Sequence, residues 1–263
     1  MKDRLIYGGL AFLVFLPFAL VGKIYFAYFL LVLGILGLFE LMRMANITSK
    51  FPFVIGSFAL YAQLMPTHYM PSLLQNLDMA SLYFLCAIIL LMYTVFKPHK
   101  FNFTHAAIIM LGAIYIGRGF YMVVDIRDIG VATLAYFLIT VWMTDIFALL
   151  VGRKIGKNKL APQISPSKTV EGMIGGTVGA VIIAALYISI FNTQLGSFHH
   201  LILLTIIISL TGQFGDLVES AYKRHFNVKD SGKLIPGHGG VLDRFDSMLF
   251  ASLAFGIWFN LIN

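Results

Sequence analysis

Asp216, Glu219, Asp230, Asp243 and Asp246 share one stretch of 31 residues with Lys223, Arg224, Lys229, Lys233 and Arg244. The chain has 19 basic and 12 acidic residues in all, so this window holds ten of its 31 charges. The rest is largely apolar, at 59% hydrophobic residues overall. Charge beside a bilayer is costly unless it is paired, hydrated or bound to an ion, which makes the window the first candidate for a site. Asp216, Asp243 and Asp246 supply hard oxygen donors, and magnesium takes one or two carboxylates together with water and substrate phosphates. The lysines and arginines around them suit a phosphate-rich ligand. Acidic groups set among basic ones thus read as a metal–polyphosphate site, against the plainer reading of an internal salt-bridge network.

Leading into the window, Ser209, Gln213, Asp216, Ser220 and Lys223 recur at spacings of three and four. That spacing puts them on one stripe of a helix, with Glu219 beside them. Pro236-Gly237-His238-Gly239-Gly240 follows Lys229-Asp230-Ser231-Gly232-Lys233. Glycines let backbone N–H groups approach a phosphate closely. The G-x-x-x-x-G-K-[ST] spacing of a P-loop is absent. A second polar stretch runs from Gly152 to Gly172 and contains Ser165, Lys168 and Thr169 just before an apolar run. A helix N-terminus there would favour an anion, although its basic residues also serve as topology determinants. Asp145 and Arg118 lie within apolar runs, as a functional pair or a structural one. The single cysteine, Cys86, excludes an intrachain disulfide. His68, His99, His105, His199 and His200 lack zinc-site spacing, and no nucleophile elbow is present.

The elements that must position these groups are apolar helices. Runs near 5–21, 25–44, 52–66, 80–96, 103–123, 131–151, 172–192, 199–215 and 246–262 predict about nine transmembrane helices, the third being short and proline-flanked. The expected fold class is therefore all-α, a polytopic integral membrane protein forming one membrane domain. Its N-terminal helices occupy 1–123, and its C-terminal half, 124–263, carries the cytoplasmic loops 152–171 and 216–245. Sixteen Lys and Arg residues fall on one side of this map, only Lys23 and Arg127 on the other, and Arg118 inside a span. The positive-inside rule then puts the N-terminus in the cytoplasm and the C-terminus outside. The formal charge of +7 thus reads as membrane orientation and anionic ligands, not nucleic acid.

The pattern Ser220-Ala-Tyr-Lys223-Arg224, Lys229-Asp230 and His238-Gly239-Gly240-Val-Leu-Asp243-Arg244-Phe-Asp246 resembles the signature of the phosphatidate cytidylyltransferase (CDP-diacylglycerol synthase) family. Ser165 to Gly172 resembles a second segment of that family, and Asp145 and Gly212 to Ser220 fit its pattern. Tyr222, Ser167 and Val170 depart from it, standing where an aliphatic residue, Lys and Trp are expected. The resemblance implies that CTP and phosphatidic acid, a membrane lipid, give CDP-diacylglycerol and pyrophosphate with Mg²⁺. It leaves room for a second cation and a homodimer, and it implies a bacterial plasma membrane with the site facing the cytoplasm. The expected catalytic residues are Asp216, Asp243, Lys223, Arg224 and Asp246, with Asp216 and Asp243 as metal ligands. Substrate binding is expected from Ser165, Lys168, Ser220, Lys229, Asp230, His238, Gly239, Gly240 and Arg244.

Two rival readings remain at this stage. A secondary transporter or flippase for anionic substrates explains Asp145 and Arg118, but not the crowding of charge at one face. A scaffold for acidic lipids needs the basic residues but gives no reason for the carboxylates.

Overall fold

A computed structural model describes residues 2–191, 195, 197–232 and 239–262. Among them are nine α-helices: α1 Lys2–Val21, α2 Lys23–Met44, α3 Lys50–Leu64, α4 Met79–Phe96, α5 Phe103–Ile129, α6 Val131–Ile155, α7 Val170–Ile190, α8 Phe198–His225 and α9 Leu242–Ile262. Each coincides with one apolar run of the sequence. Six (α2, α4, α5, α6, α7 and α8) are long and apolar enough to cross a membrane alone. The 15 residues of α3 extend only about 22 Å, short of a hydrocarbon core of about 30 Å. The first turns of α9 carry Asp243, Arg244 and Asp246.

Outward faces are as apolar as the interior. Phe84, Val95 and Phe96 on α4 and Ile182, Leu186 and Ile190 on α7 are exposed. In water such surfaces would aggregate; in lipid they are the solvent-facing side. The protein is an all-α polytopic membrane protein. Sequence punctuation sets several helix ends. Asp78 accepts hydrogen bonds from Ala80 N and Ser81 N, each 3.1 Å, and caps α4. These bonds, the Ser81 hydroxyl's first among them, hold its carboxyl below its ordinary pKa near 3.8. Asn102 Oδ1 accepts from His105 N at the start of α5.

The chain groups into two compact units. One comprises Met1–Val124 and Asp230–Arg244, the other Asp125–Lys229 and Phe245–Asn263. The segment 230–244, which the sequence reading assigned to the C-terminal half, thus groups with the N-terminal helices. In the first unit Phe26, Leu30 and Leu38 of α2, Leu60 and Leu64 of α3, and Ile109 and Ile116 of α5 are fully buried. Small residues let these helices meet: Gly56 lies against Ile109 and Leu38, and Gly112 against Leu41.

In the second unit α6 packs along α7. Gly172, Gly176 and Ala180 recur every four residues, and Gly176 sits on Thr144 O and Ala148. No lipid-excluding force drives helices together within a bilayer, so this close van der Waals fit supplies the association. Tyr136 bonds Leu201 O at 2.9 Å and Thr205 Oγ1 at 2.7 Å, tying α6 to α8. Between α6 and α7 the chain forms a feature the helical reading did not anticipate. Strands β1 (Lys159–Ala161) and β2 (Ser165–Thr169) pair antiparallel.

Candidate functional site

The β-hairpin fixes one side of the site in the second unit. Val170 N donates to Asn158 O at 2.9 Å, closing the hairpin's base. Glu171 accepts from Lys157 N, from Asn158 N and from Asn158 Nδ2. Thr169 Oγ1 accepts from Gly172 N at 3.1 Å and caps α7. Lys168 is the residue just before that cap, and its Nζ reaches Asp216 Oδ2 at 2.6 Å. Ser165, at the other end of β2, is half-buried.

Asp216 comes from α8. That helix runs 28 residues, about 42 Å, so its last turns extend past a hydrocarbon core. The apolar run ends near 215, yet the helix continues because the polar residues keep its periodicity. Inside the apolar part the stripe is satisfied internally: Ser209 Oγ donates to Thr177 Oγ1 at 3.0 Å, and Gln213 Nε2 approaches Thr177 Oγ1 at 3.3 Å. Further along, Ser220 Oγ donates to Asp216 Oδ1 at 3.4 Å. Glu219 is buried and pairs with Lys223 Nζ at 2.5 Å. Gly212 lies against Ser247, and Gly215 against Asp246 O and Phe250, so α9 comes close to α8 at this level.

Asp246 is consequently a neighbour of Asp216. Its carboxyl lies near Glu219 and feels the charges of Asp216 and Lys223. Asp145 of α6 is exposed and feels Asp246, Asp216 and Lys168. A carboxylate inside a span faces other protein groups or a hydrated cavity, not lipid. The second unit therefore gathers Asp145, Asp216, Asp246 and Glu219 with Lys168 and Lys223. Arg224, Lys229 and Asp230 are exposed. Arg224 leans towards Ile164 O and Val228 O, each 3.4 Å away. Arg118, in the first unit, lies 4.4 Å over the Tyr121 ring.

Asp243 groups with the first unit, and its Oδ2 accepts from Ser231 N and Gly240 N, each at 2.8 Å, with Ser231 Oγ 2.9 Å away. Gly239 has φ +83° and backs onto the same carboxylate; a side chain there would be both strained and obstructed. Arg244 is exposed, with its N–H donating to Val241 O at 3.0 Å. His238 and Lys233 lie outside the described residues.

One residue escaped the sequence reading. Glu40 of α2 is buried and accepts bonds from Ser231, Val241 and Leu242. A carboxylate in an apolar run was a sufficient signal for attention. Its partners, mostly backbone N–H groups some 200 residues away, leave no trace in local pattern.

Among the described residues no three His, Cys, Asp or Glu side chains converge as a ready-made metal cage. Two adjacent carboxylates, Asp216 and Asp246, nevertheless match the one or two that magnesium takes when phosphates and water complete its shell. The donor set fits such a cation.

Residues 2–262 match the Cytidylyltransferase family. The chain is 41% identical over 254 residues to a phosphatidate cytidylyltransferase of Bacillus subtilis (strain 168), covering 95% of this chain and 94% of that one. It is 42% identical over 255 residues to the protein of that name from Staphylococcus aureus (strain COL), covering 95% of each. With the relative of that name from Staphylococcus haemolyticus it shares 40% over 253 residues, again 95% of each. A match spanning nearly the whole length, with the charged window inside it, decides the assignment: the chain belongs to the Cytidylyltransferase family.

Proposed function

We propose that this protein transfers the cytidylyl group of CTP to phosphatidic acid, forming CDP-diacylglycerol and pyrophosphate for phospholipid synthesis. The observation that carries this reading is the 95% two-way coverage by relatives named for that activity. The site's composition supports it. A lipid reactant requires a membrane-embedded protein, and an anionic nucleotide requires basic side chains at an accessible edge.

A phosphate oxygen of phosphatidic acid attacks the α-phosphorus of CTP. The bond from that phosphorus to the oxygen bridging to the β-phosphate breaks, and pyrophosphate leaves with the electron pair. The attacking phosphate monoester is already largely ionised near pH 7, so no general base is needed. The protein's task is positioning and charge neutralisation. Lys168, Lys223, Arg224 and Lys229 grip the triphosphate and the lipid headgroup. Ser165, Ser220, Asp230 and Arg244 help to orient them. His238, Gly239 and Gly240 shape the nucleotide loop.

Mg²⁺, when bound, neutralises phosphate oxygens and the leaving pyrophosphate. Asp216 is its first expected ligand. The sequence paired Asp216 with Asp243; the neighbourhood within the second unit favours Asp246 as the partner. Asp243, which accepts backbone bonds from Ser231 and Gly240, then orders the glycine segment. The basic edge faces the cytoplasm, with the N-terminus inside and the C-terminus outside a bacterial plasma membrane.

Purified protein in detergent is expected to release pyrophosphate from CTP only when phosphatidic acid and Mg²⁺ are both present. Counterflow of either substrate across sealed vesicles, with no pyrophosphate formed, would replace this reading with a transporter.

A further inference from the structure

Glu40 is 5% exposed in α2, among apolar neighbours, and its carboxylate is fully engaged. Oε1 accepts from Val241 N at 2.8 Å; Oε2 accepts from Leu242 N at 3.0 Å and has Ser231 Oγ 3.0 Å away. Val241 and Leu242 stand at the start of α9, where helical N–H groups have no partner of their own. A carboxylate there also favours the helix dipole. Glu40 therefore caps α9 from a different helix while holding the far flank of the loop through Ser231. The fit is close on both flanks. A Cβ at Gly232 would overlap Oε1, and one at Gly240 would overlap Oε2 and Ser231 Oγ. Ser231 continues the network to Asp243, whose Oδ2 accepts from Ser231 N and Gly240 N, while the single Ser231 hydroxyl proton lies between Glu40 Oε2 and Asp243 Oδ2, 2.9 Å from Oγ, and goes to one of them at a time.

We propose that Glu40 is a positioning residue for cytidylyl transfer: its buried carboxylate clamps both flanks of the 230–244 segment and thereby sets Gly239, Gly240 and Asp243 for the nucleotide. A plain structural carboxylate would serve as well on one side of the loop. Glu40 bonds residues on both sides of the glycine segment and abuts a glycine in each. Ser231 on one side and Val241 and Leu242 on the other are thus tied to α2. The inference rests on the cytidylyltransferase reading for its kinetic consequence, but its geometric part stands apart from it.

Glu40→Gln keeps the volume and replaces one acceptor oxygen with a donor facing N–H groups. It is expected to raise KM for CTP about tenfold while changing KM for phosphatidic acid less than about twofold. Ser231→Ala is expected to move KM for CTP in the same direction by about threefold, and the two changes should be non-additive in the double variant. Glu40→Asp, which keeps the charge, should fall between wild type and Glu40→Gln. Hydrogen–deuterium exchange of 239–242 in the purified protein, without substrates, should accelerate in both single variants. Unchanged exchange, or a fall in kcat with both KM values at wild type, overturns the proposal. If Glu40→Gln does not fold, Ser231→Ala decides by the same two readouts. If the wild type turns over no CTP, the functional reading fails, and exchange alone decides the clamp.

Discussion

Lys168 Nζ lies 2.6 Å from Asp216 Oδ2, joining the end of the β-hairpin to the charged end of α8. The pair is partly exposed, at 24% and 34% of the two side chains, so solvent screens it and its worth to stability is small. Its significance is chemical: an ammonium group and a carboxylate meet where phosphates and their cation are proposed to sit. Lys168→Met should reduce turnover about 100-fold, the scale of losing one preorganised charge at a reacting phosphate. Steady-state assays on the detergent-purified variant, with its thermal midpoint as a folding control, check this. Wild-type turnover would remove Lys168 from the site.

The three aspartates are expected to differ in their response to Mg²⁺. Asp216→Asn and Asp246→Asn should raise the Mg²⁺ concentration for half-maximal activity as well as lower turnover. Asp243→Asn should lower turnover severely in folded protein without that shift, while speeding exchange of 239–242. A Mg²⁺ shift for Asp243→Asn and none for Asp246→Asn would return the metal pair to Asp216 and Asp243.

Gly240→Ala tests packing against Glu40. Its Cβ would meet Glu40 Oε2 and Ser231 Oγ, and overpacking at a rigid contact costs about 1–3 kcal/mol. Tyr136→Phe is the contrasting control. It deletes the buried hydroxyl bonded to Leu201 O and Thr205 Oγ1, for about 1–2 kcal/mol. The first should move KM for CTP; the second should lower the unfolding midpoint with both KM values unchanged.

Asp78 predicts an acid dependence. Its folded carboxyl is held below the ordinary value near 3.8 by Ser81 and Ala80. The unfolded chain therefore binds the proton more readily. The cap's contribution is fully present above the unfolded value and is lost as pH falls through the folded one. The difference in thermal midpoint between wild type and Asp78→Ala should be flat above about pH 5 and shrink in acid. A difference that persists undiminished at the lowest accessible pH would contradict this.

Much of the scaffold was legible because a bilayer imposes a simple rule. Twenty apolar residues in a row have few options, and all nine helices begin within a few residues of the expected runs. The stripe from Ser209 to Lys223 was legible for a related reason, since its spacing carries α8 beyond the apolar run. The hairpin Lys159–Thr169 was not, because three- and five-residue polar strands lack a periodic signal. Asp246 as neighbour of Asp216 depends on Gly212 and Gly215 admitting α9, a packing fact that spacing does not encode. Glu40 was visible as a charge in a span, but its role lies in long-range bonds to Ser231, Val241 and Leu242.

The most direct test follows the fate of one phosphorus atom. Purified protein is incubated with phosphatidic acid, Mg²⁺ and CTP labelled with ³²P at either the α- or the γ-position. The α-label should enter the organic phase as CDP-diacylglycerol while the γ-label stays in water as pyrophosphate. An α-label that remains entirely aqueous, or a γ-label that moves into lipid, would contradict cytidylyl transfer.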